Sequence, residues 1–318
     1  MMFGLLHNGN SRRNQRGRGD IERVLSARRP NLEEIELAGV DGLDQALNRF
    51  AERGVSTLII NAGDGTVQAV LSRLCNDCPF GAIPPIALLP GGSTNVIAYD
   101  VGTGGNRARA LDRLLQASET GTPKTVRRAT IRVDYAPDRA PLYGTFFGTA
   151  AIYRGIRFHA DVIHPLQLDS SWAMGATMAG VLLRYLFRRS EQDSIFHGDS
   201  FVISIDDRPA ERQDLLVAMV TTLDRLILKS RPYWGCEPGD LRFTGIRYPA
   251  KGLIRAIWPV LYGGENRRFP CADYFSHNAG RLSFDMSCRF ALDGEIYEPA
   301  PDYPVRLTAG PWINYVTG

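Results

Sequence analysis

Asn61-Ala62-Gly63-Asp64-Gly65-Thr66 sets a carboxylate between two glycines, with a hydroxyl two residues on. Residues 55–60 before it, Val-Ser-Thr-Leu-Ile-Ile, read as a buried parallel strand, and residues 67–74 after it have helical spacing. A strand that delivers glycines to a helix start makes an anion site, because first-turn N–H groups point outward and that helix end is positive. Gly63 and Gly65 allow positive φ and close approach of a ligand to the backbone. Asp64 supplies a carboxylate suited to Mg²⁺ or to a substrate hydroxyl. A tight turn with an acidic helix cap accounts for the same residues equally well.

A second stretch repeats the arrangement. Residues 86–89, Ile-Ala-Leu-Leu, run into Pro90-Gly91-Gly92-Ser93-Thr94-Asn95 and then into a helix over 96–99. Two such loops on neighbouring parallel strands face one crevice at the carboxyl edge of the sheet. The loop after the first strand, His7-Asn8-Gly9-Asn10-Ser11-Arg12-Arg13, is polar and basic. That composition holds phosphate at a strand end or forms a solvated surface loop. Near the C-terminus, Asp293-Gly294-Glu295 reads as a hairpin turn followed by a solvated charge.

The pair Asn-Ala-Gly-Asp-Gly-Thr and Leu-Pro-Gly-Gly-Ser-Thr-Asn resembles the GGDGT and PxGTxN motifs of the diacylglycerol kinase catalytic domain. That superfamily includes bacterial lipid kinases, sphingosine kinases and ceramide kinases. GGDGT alone is shared with NAD kinases, and a near relative occurs in phosphofructokinases; the ordered pair is more specific. The resemblance extends over nearly the whole chain. It implies an ATP- and Mg²⁺-dependent transfer of the γ-phosphate to a lipid hydroxyl, with diacylglycerol the leading candidate.

Carried over by position, the resemblance implies nucleotide contacts from Asn8, Ser11, Arg12, Gly63, Gly65, Thr66, Gly92, Ser93 and Asn95. Asn8 and Ser11 match the family's NPxSG loop, whereas Gly9 and Arg12 replace its Pro and Gly. The resemblance also implies a metal role for Asp64 and a general-base role for Glu295, with Asp64 the alternative base. Ala62, Ala69 and Val96 stand where the family carries Gly, Glu and an acidic residue. Two other readings stay open: an NAD kinase-like enzyme, and a non-catalytic nucleotide- or lipid-binding protein. Residues 90–95 favour the lipid kinases over the first, and the joint presence of Asp64 and Glu295 favours catalysis over the second.

The elements that must hold these loops follow from periodicity. A first strand is expected at 2–6, a helix at 20–29 capped by Asp20, a strand at 34–38 and a helix at 41–53 ended by Gly54. A helix at 106–118 closes this part. Alternating strands and helices indicate a parallel α/β domain, placed at residues 1–125. After Pro123 the pattern becomes strands with turn-rich links, including runs at 129–134, 142–148, 201–205, 215–219, 254–260 and 281–285. The expected fold is thus an N-terminal parallel α/β nucleotide-binding domain and a C-terminal mainly antiparallel β-sandwich domain. The second domain spans 126–303 and takes the lipid, and a strand near 304–318 returns to the first.

Composition narrows the partners. A net charge of +3 with 22% charged residues gives no nucleic-acid signature. Five cysteines, an odd number, fit a reducing cytosol without a disulfide framework, and Cys75 and Cys78 lack partners at zinc spacing. His159 and His164 have no metal-ligand spacing on a helix. No signal peptide and no membrane-spanning run are expected. A cytoplasmic protein meeting its lipid at the inner membrane surface follows, and homodimer formation is left open. The apolar segment 172–183, followed by Arg184, Arg188 and Arg189, is expected to pack on the second domain's sheet or to line an acyl groove near anionic headgroups.

Overall fold

The computed structural model describes residues 1–8, 12–37, 39, 41–92, 94–158, 197–264, 267–269 and 271–318; within residues 12–18 it describes the backbone alone. The first part runs β1 (Phe3–Asn8), α1 (Arg12–Arg28), β2 (Leu32–Leu37), α2 (Leu43–Glu52), β3 (Thr57–Ala62), α3 (Asp64–Asn76), β4 (Ile86–Pro90), α4 (Val96–Asp100) and α5 (Arg107–Glu119). The second runs β5 (Lys124–Asp134), β6 (Leu142–Gly144), β7 (Phe146–Ala150), α6 (Ala151–Phe158), β8 (Asp199–Ile205), β9 (Glu211–Thr221) and β10 (Leu241–Arg247). It continues with α7 (Leu253–Tyr262), β11 (Tyr274–Ala279), β12 (Arg281–Asp285), β13 (Phe290–Leu292), β14 (Glu295–Tyr297) and β15 (Val305–Thr317).

Strands β2, β1, β3 and β4 are parallel neighbours, in register Leu5↔Ile59 and Ile59↔Ala87. Their side chains alternate between two cores. Leu6, Leu58, Ile60 and Leu88 pack with α2 and α3 residues such as Phe50 and Leu71, whereas Leu5, Ile59, Ala87 and Leu89 pack with Ile21 of α1 and Leu111 of α5. Helices cover both faces, which is why these strands read as unbroken apolar runs. All β1–β3–β4 carboxyl ends therefore open at one edge, where the loops sit.

The second part is mainly antiparallel, with β9 between β7 and β8, and β13 beside β7. Aromatic residues Phe147, Phe201, Phe243, Phe284 and Phe290 fill its core. Strand β15 joins the two parts: it lies antiparallel to β5 and β12 and meets β4 in parallel at Tyr315↔Ile86.

Three local expectations change. Helix α1 begins at Arg12, so Asp20 lies inside it rather than at its cap. The apolar run at 254–260 is helix α7, not a strand. Its pattern LIRAIWPVLY is apolar almost throughout, so period 2 and period 3.6 both fit; what decides is burial of Ala256 and Val260, four apart, against Leu216, Ile246 and Tyr274. Strands β10 and β11 were not picked out in sequence. The 172–183 segment, His159, His164, Arg184, Arg188 and Arg189 lie outside the described residues. Among the described residues no helix is long and apolar enough to cross a membrane.

Candidate active site

Strand β3 ends at Ala62 and hands the chain to α3, whose first residues are Asp64, Gly65 and Thr66. Helix geometry leaves the first-turn N–H groups without intrahelical partners. The glycines here do not work through unusual backbone angles: Gly63 has φ −84° and Gly65 is an ordinary helical residue. They work through absent side chains. A Cβ on Gly92 would lie 2.5 Å from the Gly63 Cα, so the β3–α3 and β4–α4 loops touch backbone to backbone. A Cβ on Gly65 would lie 2.2 Å from Glu295 Oε1.

Asp64 is held by the β4–α4 loop and the start of α4. Its Oδ2 accepts from Thr94 Oγ1 at 2.8 Å and from the Val96 N–H at 3.0 Å, and Oδ1 accepts from the Ile97 N–H at 3.4 Å. Asp64 thus caps α4 from another helix. Burial raises its pKa, and the Val96 and Thr94 hydrogen bonds oppose that rise. Asn95 takes a left-handed conformation, φ 51°, which Asn tolerates. Its amide is buried and accepts from the Gly92 N–H while donating to the Gly92 carbonyl, both at 2.7 Å. Asn95 therefore shapes the loop. On the other side of α3, Asn8 Nδ2 donates to Thr66 Oγ1 at 2.8 Å, which draws the end of β1 to the same helix start.

The acidic hairpin closes over α3. Asp293 (φ 48°) and Gly294 (φ 96°) form a two-residue turn between Leu292 and Glu295, and positive φ at both positions is the I′ signature of Asp-Gly. Glu295 and Tyr297 are two apart on β14 and share one face. That face meets Gly65 and Gln68, three apart on α3: Glu295 lies over Gly65, and Tyr297 Oη donates to Gln68 Oε1 at 3.0 Å. Gln68 Nε2 passes the chain on to Ser72 Oγ, which donates to the Tyr143 carbonyl. Burial pushes the Tyr297 hydroxyl up to about 12, so it stays a donor.

Asp293 is a group the sequence did not single out for chemistry. It is buried, and its carboxylate accepts from Thr145 N, Thr145 Oγ1 and Phe146 N, each at 2.9 Å. Burial, then repulsion from Asp64, raises its pKa to about 7. The resemblance implies that the acidic residues of Asp293-Gly294-Glu295 lie at the cleft but gives Asp293 no role; its burial depends on β6 and β7, more than 140 residues away in the chain.

The structure thus brings together Asn8, Gly63, Asp64, Gly65, Thr66, Gly92, Asn95 and Glu295. Ser11 and Ser93 lie outside the described residues, as does the side chain of Arg12. Cys75 stays a thiol, pushed up to about 12 by burial.

Comparison with known proteins agrees with this frame. Residues 3–123 match the family model of the diacylglycerol kinase catalytic domain. No curated protein matches the chain in sequence. Two solved structures from Bacillus anthracis str. Sterne share its fold. One is of a protein provisionally named a diacylglycerol kinase, at 14% identity and TM-score 0.68, covering 100% of this chain and 97% of that one. The other is described as a diacylglycerol kinase, at 15% identity and TM-score 0.64, with the same coverage.

Proposed function

We propose that this protein is a lipid kinase that transfers the γ-phosphoryl group of ATP to a lipid hydroxyl, with diacylglycerol the first candidate. The observation that carries the reading is the Glu295 carboxylate seated over Gly65, in the first turn of α3. It supports the reading because a carboxylate there would serve as proton acceptor beside a helix start whose N–H groups suit phosphate. In the proposed reaction the lipid oxygen attacks the γ-phosphorus, the bond to the β-bridging oxygen breaks, and the hydroxyl proton passes to Glu295. The α3 N–H groups, with Asn8 and Thr66 at the rim, orient phosphate oxygens. Residues 1–125 with the returning strand 304–318 form the nucleotide part in this reading, and residues 126–303 the lipid part.

The donor set suits Mg²⁺. Asp64 and Asp293 are mutually repelling carboxylates, a pairing that a cation would relieve. Mg²⁺ commonly takes one or two carboxylates and completes its shell with water and phosphate oxygens. Asp64 is the residue that would hold it, and the ion would supply charge neutralisation at the phosphates. The test is transfer of label from γ-labelled ATP to a panel of lipids, with and without Mg²⁺. Labelled diacylglycerol supports the reading, and label retained in ATP across the panel refutes it. In this reading the protein works as a peripheral protein on the cytoplasmic surface of the membrane.

A further inference from the structure

Helix α7 is apolar on two faces. Ala256 and Val260 face the core formed with Leu216, Ile246 and Tyr274. On the outside, Ile254, Trp258 and Tyr262 follow at spacing of four and make a continuous stripe, with the Trp258 and Tyr262 rings 4.8 Å apart. Ile254 is 52% exposed and Trp258 70%. A neighbouring turn extends the stripe: Leu228 is 63% exposed beside Ile227, and its carbonyl accepts from Tyr262 Oη at 3.2 Å. A solvated helix shows polar residues on its outer face. This one shows Ile, Trp and Tyr.

Charge says what covers it. Lys251 and Arg255 are exposed on α7 and just before it, and Arg225, Lys229 and Arg231 are exposed around the turn. The Arg231 N–H donates to the Leu261 carbonyl, which holds this basic segment against α7. The Asp273 carboxylate beside Lys251 is engaged by the Lys251 N–H and the Cys271 thiol. An apolar Trp/Tyr stripe ringed by cations matches an anionic bilayer, whose interface takes the rings and whose headgroups attract the charges.

The patch is also tied to the candidate site. The Arg225 N–H donates to Asp100 Oδ1 at 2.8 Å, and Arg128 bridges Asp100 to Asp224. Asp100 ends α4, and Asp64 caps its start. A five-residue helix therefore links the base of the patch to Asp64, roughly 7 Å along its axis at 1.5 Å per residue.

We propose that α7 and the Ile227–Lys229 turn form the surface by which the protein docks on an anionic bilayer. The choice of a bilayer as partner rests on the lipid-kinase reading. The test is co-sedimentation of the full chain with vesicles of phosphatidylcholine alone or mixed with phosphatidylglycerol. Wild type is expected to pellet with the mixed vesicles, and Trp258→Glu to bind roughly tenfold or more weakly, since the change removes interfacial burial and adds repulsion. Trp312→Glu, at an exposed tryptophan elsewhere, keeps wild-type binding. Tryptophan emission gives a second measurement: its blue shift on mixed vesicles is lost in Trp258→Phe and kept in Trp312→Phe. Equal binding by wild type and Trp258→Glu, or no binding by wild type, overturns the docking face. So does a wild-type dimer that Trp258→Glu converts to monomer, because the face then belongs to a second copy. Vesicle binding through Trp258 without lipid phosphorylation refutes the kinase reading and leaves the docking face standing. Lipid phosphorylation with unchanged Trp258→Glu binding does the reverse.

Discussion

The Glu295 carboxylate occupies the space that a side chain on Gly65 would fill, with Oε1 2.2 Å from where the Cβ would lie. A glycine in the first turn of a helix and an acid on a hairpin 230 positions later are thus complementary parts of one surface. Gly65 is there to let an acid in, not to bend the chain.

Gly65→Ala follows directly. The atom that must move is the far end of a flexible carboxylate already open to solvent, so folding is hardly affected. Turnover is expected to fall about as far as in a variant lacking the base, on the order of 10²-fold or more. Thermal unfolding and steady-state kinetics check this together. Full activity in Gly65→Ala would show that the carboxylate position is immaterial.

Asp64 is structural as well as chemical. Replacing it with Ala leaves the Val96 N–H and the Thr94 hydroxyl without their acceptor, so Asp64→Ala is expected to lose about 1–3 kcal/mol of stability along with turnover. Denaturant titration measures the first effect, and label transfer over a range of Mg²⁺ the second. An Asp64→Ala protein as stable as wild type would show that α4 does not need this cap.

Asp293 gives a pH signature. Its folded pKa is raised to about 7 from 3.8, chiefly by burial. Between these values the unfolded chain releases a proton that the folded chain keeps, so this group makes stability fall as pH rises from about 4 to about 7. Above about 7 its contribution is flat. Asp293→Asn removes this component of the slope. Unfolding midpoints of both proteins across that range provide the check, and parallel profiles would refute the assignment.

The parallel layout was legible because β1, β3 and β4 are short apolar runs that each end in a glycine-containing loop and alternate with helical patterns. The Asp-Gly turn was legible from its two residues alone. Three things were not. The roles of Gly63, Gly65 and Gly92 depend on what approaches them, and those partners lie on other loops. The burial of Asp293 depends on Thr145 and Phe146, which local pattern does not connect to it. Helix α7 hides its period because its outer face is as apolar as its inner one, and for the same reason its exposed stripe shows only in three dimensions.

The most direct test of the account is Glu295→Gln under single-turnover conditions, with γ-labelled ATP and diacylglycerol presented in mixed vesicles. The amide keeps the shape of the side chain over Gly65 and cannot take the hydroxyl proton. The account predicts unchanged nucleotide affinity and stability, with the rate of label transfer to lipid lowered by on the order of 10²–10⁴-fold. Transfer by Glu295→Gln at the wild-type rate would contradict it and would make Asp64 the next carboxylate to test as the base.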